Sequence, residues 1–169
     1  MKNYKDLLDK VERVTKQKDL DLSSDEDLSI GIMNLISIEE HLFFTSQKTK
    51  KAKYIDLLNE VRLMRTELMK KIIKDYEGEV WCISKHLLSA TMRLTEVGTK
   101  ELKKGNKKEA WDLFSKAYNL YSLFWGINLK VIDMKDTKVR MPEEKLETGS
   151  SVFDKLGSLV QNAIDCCRE

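Results

Sequence analysis

Ionisable side chains that could bind a metal ion occur on the predicted helices of this sequence. Glu79, Cys82 and His86 are spaced three and four residues apart, so on a helix they fall within a stripe of about 60°. The second candidate group consists of Glu40, His41, Glu60 and Asp112. Carboxylate, thiolate and imidazole groups are common protein ligands of transition metals. One interpretation of the chain is therefore a metal-binding helical bundle that uses either group.

The two histidines lie at different heights in the predicted bundle. At about 1.5 Å per residue, His41 and His86 are about 13 Å apart along the bundle, so one ion does not reach both. Ile38 and Ile83 stand three residues before the histidines, where the carboxylate-bridged di-metal pattern has glutamate. The sequence therefore predicts no centre of that type, and metal binding stays the alternative to a binding role.

Nucleophilic catalysis has less support. Cys82 and His86 can touch across one helical turn, but Glu79 opposes the electropositive setting that a reactive thiolate needs. Glycine-rich phosphate loops, the nucleophile elbow and Cys-x-x-Cys motifs do not occur in the sequence. The sequence therefore favours a non-catalytic protein, and it predicts no catalytic residue and no cofactor.

Lysines are concentrated at two predicted turns between helices. The lysines that we predict to bind an anionic partner are Lys50, Lys51, Lys53, Lys103, Lys104, Lys107 and Lys108. Lys51 and Lys108 stand near predicted helix starts, where a positive charge costs about 0.3 kcal/mol. The sequence favours a protein partner or self-association, with an anionic surface or nucleic acid as the alternative, because lysine suits bidentate phosphate contacts less well than arginine. A solvated end that aids solubility, or head-to-tail self-association, is the competing explanation.

Hydrophobic residues recur at helical spacing through nearly the whole chain. A short N-terminal helix and four long helices, at about 24–48, 51–76, 79–104 and 107–128, are predicted. Because the connections are short, consecutive helices are expected to be antiparallel neighbours. We therefore predict an all-α protein, an up-down-up-down antiparallel four-helix bundle with short flanking helices. Its two lysine-rich turns share one end, and the opposite end carries Asp25, Glu26, Asp27, Asp75, Glu77 and Glu79.

Two apolar stripes are predicted to pack inside this bundle. The face of the second long helix consists of Tyr54, Leu57, Leu58, Val61, Met64, Leu68 and Ile72. The fourth long helix carries Trp111, Phe114, Tyr118, Tyr121 and Trp125. Aromatic side chains at this spacing are typical of core packing rather than of base stacking. The two tyrosine hydroxyls are expected to reach the rim of the core.

Composition restricts the class of protein. The chain has 169 residues, of which 41% are hydrophobic and 34% charged, enough apolar material for one folded domain. One proline and seven glycines disfavour turn-rich sandwiches and barrels. A net charge of +2 is too mild to indicate nucleic-acid binding by itself. Three cysteines without a secretory framework and no long apolar stretch predict a cytoplasmic protein without a transmembrane segment.

Three segments are predicted along the chain. Residues 1–133 form the bundle with its N-terminal helix, 134–149 a polar linker that contains Pro142, and 150–169 a C-terminal amphipathic helix. The apolar face of this last helix needs a surface to cover it. We expect it to dock on the chain's own bundle beside the N-terminal helix; a partner protein or a second copy is the alternative.

One hairpin resembles a repeat of known type. From residue 94 to 121, the run Leu94, Val97, Gly98, Gly105, Ala110, Phe114 and Ala117 is similar to a tetratricopeptide repeat. The resemblance covers about one repeat unit, and a stable array needs about three. It therefore implies a closely packed antiparallel helical hairpin, without the peptide-binding groove of repeat arrays.

Overall fold

A computed structural model of the chain describes residues 2–15, 22–74, 78–132, 134 and 152–163. These residues form helices and no strand, which confirms the predicted all-α class. The helices are α1 Lys2–Thr15, α2 Ser23–Thr49, α3 Lys53–Ile72, α4 Glu79–Lys103, α5 Lys107–Asn128 and α6 Val152–Ala163. The predicted bounds of the long helices agree with these to within a few residues.

Two glycines with positive φ lie at the two ends of α4. Gly78 precedes α4 with a φ of 82°, and Gly105 follows α4 with a φ of 85°. Glycine adopts this left-handed region without the steric penalty that a Cβ would cause. The sharp ends of α4 therefore follow directly from the glycine positions in the sequence.

α2 and α3 form the first helical hairpin, and a buried ion pair joins them. Arg65 on α3 donates from Nε to Glu39 Oε1 at 2.7 Å and from Nη2 to Glu39 Oε2 at 3.1 Å. The Arg65 side chain is only 4% exposed and the Glu39 side chain 14%. Arg65 was not predicted to face the neighbouring helix, and its bidentate partner explains how a guanidinium is accommodated there.

α4 and α5 form the second hairpin, which is packed more closely. A Cβ placed on Gly98 would lie 2.6 Å from Phe114 Cε1, so the absence of a side chain at Gly98 is what lets the Phe114 ring approach. Ala110 and Ala117 are buried in the same seam. The close packing implied by the resemblance to a repeat hairpin is therefore present.

Contacts between the hairpins come mainly from α2 and α4. Ser29 Oγ on α2 and Tyr121 Oη on α5 are hydrogen-bonded at 2.7 Å, and Arg93 on α4 forms a 2.6 Å ion pair with Glu40 on α2. α3 packs chiefly on α2. The helices thus form a bundle in which α2 and α4 provide most of the contact between the two hairpins.

The C-terminal helix docks on the same chain. α6 packs against α5 and α1, and the Tyr118 hydroxyl donates to the Gly157 carbonyl at 2.8 Å. Leu156, Leu159 and Val160 are buried. The prediction that this helix lies on its own bundle beside the N-terminal helix is confirmed.

The aromatic stripe of α5 is buried at one end only. Phe124, which was not in the predicted stripe, and Trp125 are fully buried, and Tyr121 is partly buried beside them. Trp111, by contrast, is 74% exposed and Tyr118 is 42% exposed. The core prediction was therefore wrong for Trp111, which lies in the first turns of α5 beyond the region that α2 and α6 cover.

The predicted buried face of α3 was also wrong in part. Leu57 and Met64 are each 50% exposed, whereas Arg65 and Met69 are buried. Met69 and Ile72 join the hydrophobic core near the end of α3. The side of α3 that meets α2 is thus rotated from the predicted apolar face, and it includes Arg65, which pairs with Glu39.

Candidate functional site

The first bend, residues 50–52, connects α2 to α3 and carries three of the predicted lysines at or beside it. Lys50 adopts a left-handed conformation with a φ of 56°, and its backbone N–H donates to the Ser46 carbonyl at 2.8 Å. Lys50, Lys51 and Lys53 are all exposed. The Lys53 ammonium lies 5.2 Å from the centroid of the Tyr54 ring, which is a cation–π distance. The first bend is thus a short exposed cationic segment.

The second bend, residues 104–106, connects α4 to α5 and is organised by one carboxylate. Glu101 accepts hydrogen bonds from Asn106 Nδ2 at 2.7 Å and from Lys104 Nζ at 2.6 Å. These two bonds, the one from Asn106 first, lower the pKa of Glu101 below its ordinary value. The backbone N–H of Asn106 also donates to the Glu101 carbonyl at 3.0 Å. The second bend is therefore tied down from the last turn of α4.

The lysines of the second bend are exposed as well. Lys103 and Lys104 precede the bend, while Lys107 and Lys108 begin α5. Across both bends, Lys104 is the only one of the seven predicted lysines with a carboxylate at ion-pair distance in the described part of the chain. Six ammonium groups are therefore available to an external anion.

The structure separates the metal ligands predicted on several helices. Glu40 is engaged by Arg93, and Asp112 accepts a 2.6 Å bond from Lys116 on its own helix. His41 and Glu60 are exposed. No group of three or more histidine, cysteine, aspartate or glutamate side chains placed to hold a metal occurs among the described residues. This arrangement gives the metal interpretation no support.

The second predicted ligand set remains on one face of α4. Glu79, Cys82 and His86 are all exposed, and the Cys82 thiol is free. Exposed ligands on one helix lack the enclosing groups that fix a metal's coordination geometry. This set likewise forms no metal-holding group in the described residues.

The acidic end predicted from the sequence is described only in part. Asp25, Glu26 and Asp27 lie in the first turns of α2, whereas residues 75 and 77 are outside the described residues. Partial burial of Glu26, and secondarily the charge of Asp27, raises the pKa of Glu26. Carboxylates at a helix start are favoured by the helix dipole.

The sequence did not predict that the bend-side half of the first hairpin exposes many large apolar side chains. The exposed large apolar residues between positions 38 and 64 are Ile38, Phe43, Phe44, Ile55, Leu57, Leu63 and Met64. Phe43 and Phe44 contact each other edge to face, with ring centroids 5.3 Å apart. The only sequence signal was the presence of apolar residues on more than one side of each helix.

Comparisons with protein-family models, with curated proteins and with solved structures found no match for this chain. In the described residues, none of the helices combines the length and the hydropathy that crossing a bilayer requires. The charge and exposure of the chain's own residues are therefore the basis of the function proposed below.

Proposed function

We propose that this protein is a non-catalytic binding or adaptor module of the cytoplasm whose two lysine-rich bends receive an anionic partner. The observation that carries the proposal is the exposure of all seven lysines, of which one alone is paired with a carboxylate in the described residues. Exposed lysines attract anions through long-range, salt-sensitive electrostatics. The 1–133 bundle is the proposed binding unit, with 134–149 as linker and 150–169 as a supporting helix.

Two contacts support a common end for the bends, as an up-down-up-down bundle requires. Ser29 bonds to Tyr121, and Glu40, further along α2, pairs with Arg93. Since α4 and α5 are antiparallel, Tyr121 lies level with a part of α4 that precedes Arg93. α2 and α4 are therefore expected to run in the same direction, each towards its own bend. Parallel α2 and α4 would bring both groups of lysines to one cationic surface.

An experiment on this surface uses a matched charge change. The variant Lys51→Gln, Lys107→Gln, Lys108→Gln removes three charges at or beside the bends. The control Lys10→Gln, Lys71→Gln, Lys85→Gln removes three charges elsewhere. Both variants are titrated with anionic phospholipid vesicles, a single-stranded oligonucleotide and an acidic peptide at about 50 and 200 mM salt.

The expected result is binding to at least one of these anions that weakens at least tenfold in the bend variant. The control variant is expected to retain affinity within about threefold, and higher salt should weaken the binding of the unaltered protein steeply. Equal losses in the two variants would show that total charge, not the bends, attracts the anion. Absence of binding to all three probes at low salt would contradict the proposal.

A further inference from the structure

The first hairpin has an apolar flank on the side away from α4 and α5. On α2, Ser29 and Glu40 face the second hairpin. At about 100° per residue, Ile38 and Leu42 lie about 140–180° around the helix from them. Ile38 is 44% exposed and Leu42 is partly exposed. This flank of α2 is therefore turned away from the rest of the bundle.

α3 contributes a stripe to the same flank. Its members are Leu57, Val61, Met64 and Leu68, which lie about 40–100° to one side of Arg65. Ile38 and Leu42 lie about 60–100° from Glu39 in the same rotational sense. Glu39 and Arg65 mark the line along which α2 and α3 touch. When two helices are antiparallel, residues that lie at the same angle and in the same rotational sense from this line point to the same side of the hairpin. The six residues therefore form one continuous surface, which we call the outer face.

An independent observation shows that none of the described residues covers the outer face. Gly31 lies on the same flank of α2, about 80° from Glu39 in the same sense. A Cβ placed on Gly31 would meet no atom within 4 Å. Leu57 and Met64 are half exposed, although apolar residues at heptad spacing on a helix are normally covered.

We propose that the outer face binds the outer face of a second copy of this chain, which forms a two-fold symmetric dimer. Ile38, Leu57 and Met64 on this face are 44%, 50% and 50% exposed, and Leu42, Val61 and Leu68 are partly exposed. A stable interface buries about 800 Å² per partner, of which about 65% is apolar in homodimers. The six residues of the outer face would supply the apolar centre of such an interface.

Charges at the two edges of the outer face favour a self-complementary contact. Glu60 and Glu67 lie beyond the apolar stripe on α3, about 140–160° from Arg65, and His41 and Lys48 lie about 160–180° from Glu39 on α2. Because Glu39 is level with Arg65 in the antiparallel pair, Glu60 is at a height between those of His41 and Lys48.

A two-fold rotation about an axis parallel to the helices leaves the height of each residue unchanged. It places the α3 edge of one copy beside the α2 edge of the other. Glu60 of one copy then lies opposite His41 and Lys48 of the other, and the reciprocal contact follows by symmetry. Opposite charges at such a rim set the register and orientation of the two copies. Lys53 and Lys71 lie at the two ends of the α3 edge, and Lys53 is about 4.5 Å in height from Lys48 of the other copy, against about 6 Å for Glu60. The complementary contact is therefore centred on His41, which lies between the heights of Glu60 and Glu67.

The association state of the full chain tests this proposal. Sedimentation equilibrium of the unaltered protein between about 1 and 100 µM should show a monomer–dimer equilibrium. The variant Leu57→Glu, Met64→Glu should weaken the dimer at least tenfold, because it places two carboxylates within the contact. Leu63→Glu is the matched control, since Leu63 is 53% exposed on the same helix but turned away from the outer face.

Charge reversal provides a second variant that does not disturb the hydrophobic core. His41→Glu and Glu60→Lys should each weaken the dimer several-fold, and the two together should restore most of the affinity. Circular dichroism and melting curves verify that each variant is folded. A monomer at 100 µM, a dimer unaffected by Leu57→Glu, Met64→Glu, or the same loss with Leu63→Glu would each overturn the proposal.

Discussion

The two hairpins are built on the same plan but are held together by different interactions. In the second hairpin, small residues such as Gly98 and Ala117 bring α4 and α5 close together around Phe114. In the first, a buried ion pair between Arg65 and Glu39 joins α2 to α3. Both hairpins nevertheless expose large apolar side chains, such as Leu57 and Met64 in the first and Leu102 and Trp111 in the second.

This difference assigns the hairpins different roles. The second hairpin forms the scaffold, because its end carries Phe124 and Trp125, and α6 docks on it. The first hairpin presents the outer face, with Leu57 and Met64 half exposed. Large exposed apolar areas on a folded protein are characteristic of interaction surfaces. The exposed flank of the first hairpin is the surface that we propose for the dimer contact.

The largest expected effect comes from removing the ion pair of the first hairpin. Glu39→Ala leaves the Arg65 guanidinium nearly buried without its carboxylate, and breaking such a pair costs about 3 kcal/mol. Urea unfolding measures this loss. Glu40→Ala is the control, because the pair of Glu40 with Arg93 is 44% and 47% exposed, and an exposed pair contributes less than about 1 kcal/mol. Similar losses in the two variants would mean that the first hairpin does not depend on its buried pair.

Filling the seam of the second hairpin should have the next largest effect. In Gly98→Val, the new side chain meets the Phe114 ring, and overpacking of this kind costs about 2 kcal/mol. Gly31→Val on α2 has open space around its Cβ, and it should change the free energy of unfolding by less than about 0.5 kcal/mol. Thermal and urea unfolding of both variants measure the difference. Tolerance of Gly98→Val would show that the seam can widen.

The smallest effect concerns the carboxylate that organises the second bend. Since the folded state lowers the pKa of Glu101 below its ordinary value of 4.5, its contribution to stability is present above about pH 5 and is lost as the pH falls through the lowered pKa. The melting temperature of Glu101→Gln should therefore lie slightly below that of the unaltered protein at pH 7, and the difference should shrink as the pH falls below 4.5. Glu96→Gln, exposed on the same helix, is the matched control for removing one carboxylate. A difference for Glu101→Gln that persists at low pH would contradict the role of the ionised carboxylate.

Sequence reasoning was most accurate where local signals determine structure. The bounds of α5 were predicted correctly, and those of α4 to within one residue, because Gly78 and Gly105 stop the chain there. The exposure of Lys50 and Lys107 also follows from local position, since lysine next to a turn is readily solvated. The burial of Arg65 was not predictable in this way, because it depends on a carboxylate 26 residues away on another helix.

The candidate site was accessible to the same reasoning only in part. The lysine groups are read directly from the sequence, whereas the outer face depends on which side of α3 meets α2. Leu57 and Met64 have the spacing of buried residues, and Trp111 has the spacing of a core aromatic. Their exposure reflects what neighbouring helices cover, and no local pattern contains that information.

For this protein, the sequence alone determined the helices, the turns between them and the amphipathic character of the last helix. Each of these depends on residues within a few turns of one another, through backbone hydrogen bonds, glycine conformations and periodic apolar positions. The tertiary structure alone decided which apolar stripe is buried and which faces solvent. That choice is a competition between surfaces that are distant along the chain: α3 meets α2 through the side that carries Arg65, and Leu57 and Met64 stay half exposed.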